Sequence, residues 1–336
     1  SKRFLYSSGI HCPLVVRIPE KWKQWWPAAK PGMTVDRIVS FVDMPKTWLS
    51  LAQAEIPETY QGTVFLGDGV ETAPKYHFSF RERADECADL VRSMRDERYA
   101  YIKNYYPWAP NGQHLAYMWT MTGTPAWEAH YLAGKCNAVQ SRFFQPRVSE
   151  EFYDTVEDFH NINNLVDEAK HQKKIAELKA AMRKKQLELF DSGLLPEAMR
   201  VRRAAANNMT IYQMVRDPKL YPLATYLDKA DLALQRNPKH AGGFVKDLTH
   251  ADAGIRWWAV CGLFLLEGDA PTTALKQALK DDTHEVQLMA AWALHRQGET
   301  ALADACFERI EKQGSNDQPL FESIQKWMDQ KTPKKS

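Results

Sequence analysis

Near the C-terminal end of this chain, Leu248, Ile255, Ala259 and Leu263 recur as Leu279, Val286, Ala290 and Leu294, each 31 residues further on. No other feature restricts the fold so sharply. The last three positions of each copy are four apart, which puts them on one face of a helix. Each copy opens on a polar turn, "THADAG" in the first and "DDTHEV" in the second, ahead of a helix with small residues inside. A unit of this length cannot bury its own apolar face and has to stack on a neighbour. The pattern predicts an all-α region of HEAT-like helical pairs over residues 206–330, completed by flanking helices or by the domain before it.

Upstream the pattern changes. "KYHFSFRER", "ADLVRSMRD" and "RYAYIKNYYP" cluster aromatic and β-branched residues over strand lengths and read as neighbouring antiparallel strands. "EEFYDTV" reads as another strand and turn. It leads into a helix with Ile175, Leu178, Met182 and Leu189 on one face and Gly193 as its cap. Before the strands, "DMPKTWLSLAQAEIP" reads as a helix with Asp43 as N-cap, Pro45 in its first turn and Pro57 as its stop. Residues 4–18 are expected to form a strand, a turn and a second buried strand in "PLVVRIP", which runs on into "EKWKQWWP". Residues 107–147, rich in Trp, Tyr, Pro and Gly, read as a compact aromatic insertion with short helices.

Charge bears on function by exclusion. Lys and Arg number 44 against 42 Asp and Glu, a formal charge of +2, so no global field favours nucleic acid or an anionic membrane. Any anion site has to be local. No run approaches the ~18 uninterrupted apolar residues of a membrane span, and no secretory signal pattern opens the chain. The five cysteines (Cys12, Cys87, Cys136, Cys261 and Cys306) are odd in number and never spaced as CxxC, which argues against a disulfide framework or a zinc site. No metal-ligating set stands out.

Taken together, "SKRFLYSSGIHCPLVVRIPE", "DRIVSFVDMPKTWLSLAQAEIPETYQG", "LVRSMRDERYAYIKNYYP" and "EEFYDTVEDFHNINNLVDE" resemble the formylglycine-dependent sulfatases of the alkaline phosphatase superfamily. The likeness is to bacterial members similar to heparan N-sulfatase and arylsulfatase A, and it covers about residues 1–205. The resemblance implies an α/β fold whose last part is residues 1–66. A C-terminal α+β subdomain with a small antiparallel sheet and the aromatic insertion follows over 67–205; the helical repeats over 206–330 and a disordered tail over 331–336 lie outside the family pattern. Members of this family convert a Cys or Ser in a C/S-x-P-x-R motif to formylglycine and bind calcium through Asp and Asn or His. None of the five cysteines here is followed by that pattern. The expectation is therefore the C-terminal portion of a sulfatase, cut just before its last active-site Lys and inactive alone. Its nucleophile, calcium ligands and targeting segment are expected upstream, and the family implies a periplasmic or extracellular location.

Sulfate cleavage requires fixed cations and proton donors around anionic oxygens. By resemblance, Lys2 is the catalytic residue that neutralises a sulfate oxygen and assists the leaving group. His11 lies where the family often carries Arg or His near the active-site floor, and equally suits a hydrogen-bonded core. In "FRERADE", Arg81, Arg83, Asp85 and Glu86 combine guanidinium forks that can grip sulfate with carboxylates that can accept sugar hydroxyls. A surface ion-pair network is the alternative. Gln113 and His114, with Tyr117 and Trp119, read as a sugar platform or as core. "RVRRAA" reads as a solvated helix face. The implied partner is a sulfated carbohydrate, and the repeats offer a surface for a protein partner. Two competing readings are a non-enzymatic HEAT-like interaction module and a phosphodiesterase or phosphatase relative from the same superfamily.

Overall fold

A computed structural model of the chain describes residues 3–83, 86–330 and 332–333. Lys331 and residues 334–336 of the expected disordered tail lie outside the described residues. In chain order come α1 (Ser7–Ile10), α2 (Asp43–Leu51), β1 (His77–Arg81), β2 (Val91–Arg95), β3 (Tyr99–Asn104), α3 (Ala116–Trp119), α4 (Gly123–Leu132), α5 (Ala138–Ser141), β4 (Glu150–Asp154) and α6 (Gln172–Leu189). An all-helical run follows: α7 (Glu197–Ala206), α8 (Ile211–Met214), α9 (Leu223–Leu234), α10 (Ala241–Asp247), α11 (Ala253–Leu265), α12 (Thr272–Ala278), α13 (His284–Arg296), α14 (Thr300–Gln313) and α15 (Gln318–Met328). The strands form one antiparallel sheet in the order β1-β2-β3-β4, as the clustering of aromatic and β-branched residues predicts. The chain divides into two compact units. The first contains residues up to 79 with 93–102 and 151–182, and the second contains 80–92, 103–150 and everything from 183 onward.

In the first unit, Met94, Tyr101 and Phe152 from the strands pack with Ile175, Leu178 and Met182 from α6. The spacing of three and four along α6 aligns those apolar side chains. The turn between β2 and β3 is held by Asp96, whose carboxylate accepts the amides of Arg98 at 2.9 Å and Tyr99 at 2.7 Å. Two expectations change here. Asp43 is the first residue of α2 and does not cap it; its carboxylate accepts the amides of Ser40 and Thr63, each at 2.7 Å, pinning two loops to the helix start. Gly62 makes that approach feasible, with φ at +89° and a space where a Cβ would meet the Val42 carbonyl oxygen at 2.6 Å.

The second change concerns residues 4–18. Residues 7–10 form a single helical turn, and 11–18 form no strand. Val15 is 94% exposed. A strand needs a neighbour for its backbone donors and acceptors, and among the described residues "PLVVRIP" has none.

In the second unit, one large core gathers Trp257 and Trp258 of α11 with residues from α9 to α15. The indole of Trp258 donates to the Leu194 carbonyl at 2.8 Å, so its one polar group is satisfied in the interior. Helix boundaries follow the sequence offset: α10 and α12 start at 241 and 272, α11 and α13 run over 253–265 and 284–296, and every difference is 31. The polar turns act alike in both copies. The His250 ring accepts the Asp252 amide and the Asp281 carboxylate accepts the Thr283 amide, both at 2.9 Å. Arg256 then links the copies through Asp281, at 2.7 and 3.0 Å.

Two further expectations are corrected in this unit. The left-handed residue after α6 is Phe190, with φ at +54°. Gly193 sits further on, where a Cβ would collide with the Arg92 guanidinium and lie 2.6 Å from a Glu82 oxygen. The arginines of "RVRRAA" end on carboxylates: Arg200 on Glu82 at 2.9 Å, Arg202 on Glu285 at 2.8 Å and Arg203 on Asp252 at 3.0 Å. Asp317 adds a shared cap, accepting the amides of Ala198 in α7 at 3.2 Å and Leu320 in α15 at 3.1 Å. Those arginines are held by the folded chain and do not form a free face.

Candidate functional site

The stretch "FRERADE" leaves the end of β1, and its charged residues separate by burial. Arg81 closes β1 and is buried, with its guanidinium 3.0 Å from Asp89. Asp89 also receives Arg147 at 2.5 and 3.2 Å and the Gln113 amide at 3.4 Å. Two guanidinium groups and a carboxamide thus converge on one carboxylate that has no exposure of its own. A buried charge is tolerated only when so paired. The Gln113 carbonyl in turn accepts the Trp327 indole at 3.2 Å. Arg81 and Gln113, both expected as substrate ligands, therefore meet at Asp89.

The neighbouring Glu82 faces a second cluster. Arg92 is fully buried and donates to Asp191 at 2.8 and 2.6 Å, to Glu82 at 2.8 Å, and to the carbonyls of Arg81 and Val91. Burial raises the Asp191 carboxyl, but Arg92 outweighs it and holds the group below the ordinary carboxylate range.

Arg83 and Glu86 lie nearer the surface. Arg83 meets Glu197 at the start of α7, at 2.5 and 3.1 Å, with both side chains about two-fifths exposed (40% and 42%). The hydrogen bond from Arg83 holds the Glu197 carboxyl below its ordinary range. Glu86 accepts the Ala116 amide at the start of α3, at 2.6 Å.

This contact positions a more open group on the aromatic insertion. The His114 ring stacks on Trp119 with centroids 3.8 Å apart. Glu128 of α4 holds both rings, one oxygen 2.7 Å from His114 Nε2 and the other 2.9 Å from the Trp119 indole nitrogen. The His114 side chain is 52% exposed. Beneath it, the Cys87 thiol donates to the His114 carbonyl at 3.4 Å, and burial pushes that thiol up to about 11. An imidazole, an indole and a carboxylate fixed in one exposed cluster can stack on a sugar ring and hydrogen-bond its hydroxyls. Trp119 was expected beside His114, whereas nothing in "GTPAWEAHYLAG" marks Glu128 as the group that joins them.

Of the remaining expected residues, Lys2 and Asp85 lie outside the described residues. His11, in the first unit, is exposed and tilts against Phe159 with centroids 5.7 Å apart. Among the described residues no group of three or more His, Cys, Asp and Glu side chains is placed to hold a metal ion. No helix among them is long and apolar enough to cross a membrane.

With this geometry in hand, likeness to known proteins is informative. Residues 1–111 match the family described as N-sulphoglucosamine sulphohydrolase, C-terminal. An ulvan-active sulfatase of Formosa agariphila is 29% identical over 223 residues, which cover 65% of this chain and 36% of the relative. A second ulvan-active sulfatase of the same organism is 29% identical over 104 residues, 29% of this chain and 19% of that protein. The matched stretches thus span about a third or less of those curated relatives. Among solved structures, one in complex with its substrate D-glucosamine-2-N,6-O-disulfate is 18% identical with a TM-score of 0.27, covering 43% of this chain and 23% of that one. A 2-O GAG sulfatase is 17% identical with a TM-score of 0.30, covering 46% and 27%.

Proposed function

We propose that this chain is the C-terminal portion of a sulfatase that hydrolyses sulfate esters or N-sulfates of a sulfated carbohydrate. The observation that carries the reading is the family match over residues 1–111, which begins at the segment holding Lys2 and runs through all of β1 to β3. The ulvan-active relatives support a polysaccharide substrate. On this reading Lys2 supplies the cation that neutralises a sulfate oxygen. The formylglycine nucleophile and the calcium ligands belong to residues other than these, and the protein works in the periplasm or outside the cell. Of the proposed substrate ligands, His114 is the one whose surroundings best suit a sugar, because Trp119 and Glu128 fix it in the open. Arg83 and Glu86 are the other proposed ligands of that unit; His11 and Asp85 are proposed from the resemblance alone. Arg81 and Gln113 hold Asp89. Residues 206–330 are proposed to be HEAT-like pairs, on the strength of the 31-residue recurrence of helix boundaries.

The test compares release of 4-nitrophenol from 4-nitrophenyl sulfate by this chain and by a longer form that includes a C/S-x-P-x-R segment upstream. Turnover by the longer form alone is expected. Robust turnover by these 336 residues would overturn the assignment of the nucleophile to another segment, and its absence from both would count against a sulfatase.

A further inference from the structure

A second aromatic group lies in the first unit, in the stretch "RIPEKWKQWWPAAK" that follows the unpaired apolar run. Residues Glu20–Trp25 form a short 3-10 helix. Its turn brings Trp22 and Trp25 into a parallel stack, with centroids 4.4 Å apart and planes 5° from coplanar. Two of the three indoles are fixed by their nitrogens: Trp25 donates to Asp68 at 2.6 Å, and Trp26 donates to the Ile18 carbonyl at 3.2 Å. The cations sit at the ring faces. Lys21 Nζ is 5.5 Å from the Trp22 centroid and Lys23 Nζ is 5.2 Å from that of Trp26.

The charge of this stretch is one-sided. Arg17, Lys21, Lys23 and Lys30 face a single acidic neighbour in the stretch, Glu20, which meets Lys23 at 3.4 Å with both side chains well exposed. Among the described residues Arg17, Lys21 and Lys30 have no carboxylate partner. All four cations are exposed, and Trp22 is 38% exposed. Trp25 and Trp26 are half-buried, so the exposed indole is that of Trp22; an exposed indole carries an apolar hydration penalty, and cations without carboxylate partners attract anions.

We infer that this patch is a binding site for a sulfated polysaccharide, built from residues other than those proposed above to recognise the scissile sulfate. A flat indole stack accepts the apolar face of a pyranose, and ammonium groups beside the rings meet sulfates projecting from that sugar's rim. Neither half alone selects this ligand: indoles without cations suit a neutral glycan, and lysines without indoles suit any polyanion. The choice of ligand class rests on the sulfatase reading.

The test is affinity electrophoresis of the chain through gels containing dextran sulfate, dextran or no polymer, repeated in rising salt. Retardation by dextran sulfate alone is expected. Trp22→Ala with Trp25→Ala, and Lys21→Ala with Lys23→Ala, should each weaken it about tenfold, while Trp22→Phe with Trp25→Phe retains most of it. Circular dichroism and the thermal transition of each variant establish that it is folded. Loss of binding with the lysines but not with the tryptophans reduces the patch to bulk charge and overturns the inference. So does equal binding to phosphatidylserine vesicles, which assigns it to anionic surfaces. Binding by this chain but not by the longer form assigns the patch to internal packing and overturns it as well. Absence of sulfatase activity would overturn the functional reading and leave this site standing, because binding needs no turnover. Absence of dextran sulfate binding does the reverse.

Discussion

Replacing Asp191 by Asn tests whether the arginine-rich end of β1 is built for stability or for ligands. The wild-type carboxylate accepts two hydrogen bonds from Arg92, at 2.6 and 2.8 Å, one from Gln186 at 2.9 Å and one from the Gly193 amide at 3.0 Å. The side chains of Arg92 and Asp191 are only 1% and 6% exposed. Asn keeps the shape but removes the charge, and its NH2 group must face either Arg92 or another donor. Breaking one side of a buried pair typically costs about 3–5 kcal/mol. Glu82 still meets Arg92 at 2.8 Å and is partly exposed, which favours the low end, about 3 kcal/mol. At roughly 2–4 °C per kcal/mol for a unit of this size, the melting temperature should fall by about 6–12 °C. Urea unfolding should show a lower midpoint at an unchanged slope.

Sign and pH follow from the same geometry. The folded carboxyl titrates below its unfolded value, so its contribution is fully present above an unfolded pKa of about 4 and is lost as pH falls through the lower folded value. The gap between wild type and variant should therefore close on acidification. Combining Asp191→Asn with Arg92→Met should cost less than the sum of the two, since each single change strands the other's polar group. A loss below about 1 kcal/mol at neutral pH would refute the claim that burial makes this pair structural, as would a gap indifferent to acid.

Other outcomes are equally open to measurement. Alkylation of the native chain followed by mass spectrometry should label exposed Cys12 first and half-buried Cys136 more slowly, leaving Cys87, Cys261 and Cys306 unmodified until unfolding. Early labelling of Cys87, whose thiol burial raises to about 11, would contradict its placement. Carboxyl NMR should find Glu285 and Asp317 titrating above their ordinary ranges because both are buried, with Asp191 and Asp252 below theirs. The former pair then favours folding at pH below the unfolded carboxyl values and loses that contribution as pH rises through the folded ones. Gly262→Ala should cost about 1–3 kcal/mol in thermal or urea unfolding, because the new Cβ would lie 2.7 Å from the Phe244 ring. Phe244→Leu should relieve it, since the same two positions one repeat later are Ala293 and Leu275.

Periodicity made part of this fold legible. The 31-residue offset anticipated α10 to α13, and a spacing of three and four anticipated the buried face of α6, because burial of one face imposes exactly those periods on the residue types. Short-range rules did less well where the decisive partner is remote in sequence. Asp43 has the chemistry of a cap, but the amide of Thr63 competes for its carboxylate. Gly193 has the chemistry of a helix terminator, but the Arg92 guanidinium sets the requirement for a missing Cβ. "PLVVRIP" has strand propensity, yet propensity supplies no neighbour to complete the ladder.

The same distinction governs what could be read of a site. Arg81, Arg83 and Arg92 are chemically interchangeable in a sequence, and each can hold a sulfate. Asp89 and Asp191 decide between them: they lie close to arginines in space and bury the pairs they form, leaving Arg83 as the one with both exposure and a partner at the surface. His114 illustrates the converse. Its Glu128 tether lies 14 residues away, beyond any local rule, and turns a solitary histidine into a fixed exposed group. Residue type therefore limits which ligands a site can hold, whereas long-range pairing selects the side chains left available to hold them. In this chain that selection buries Arg81 and leaves His114 fixed and exposed.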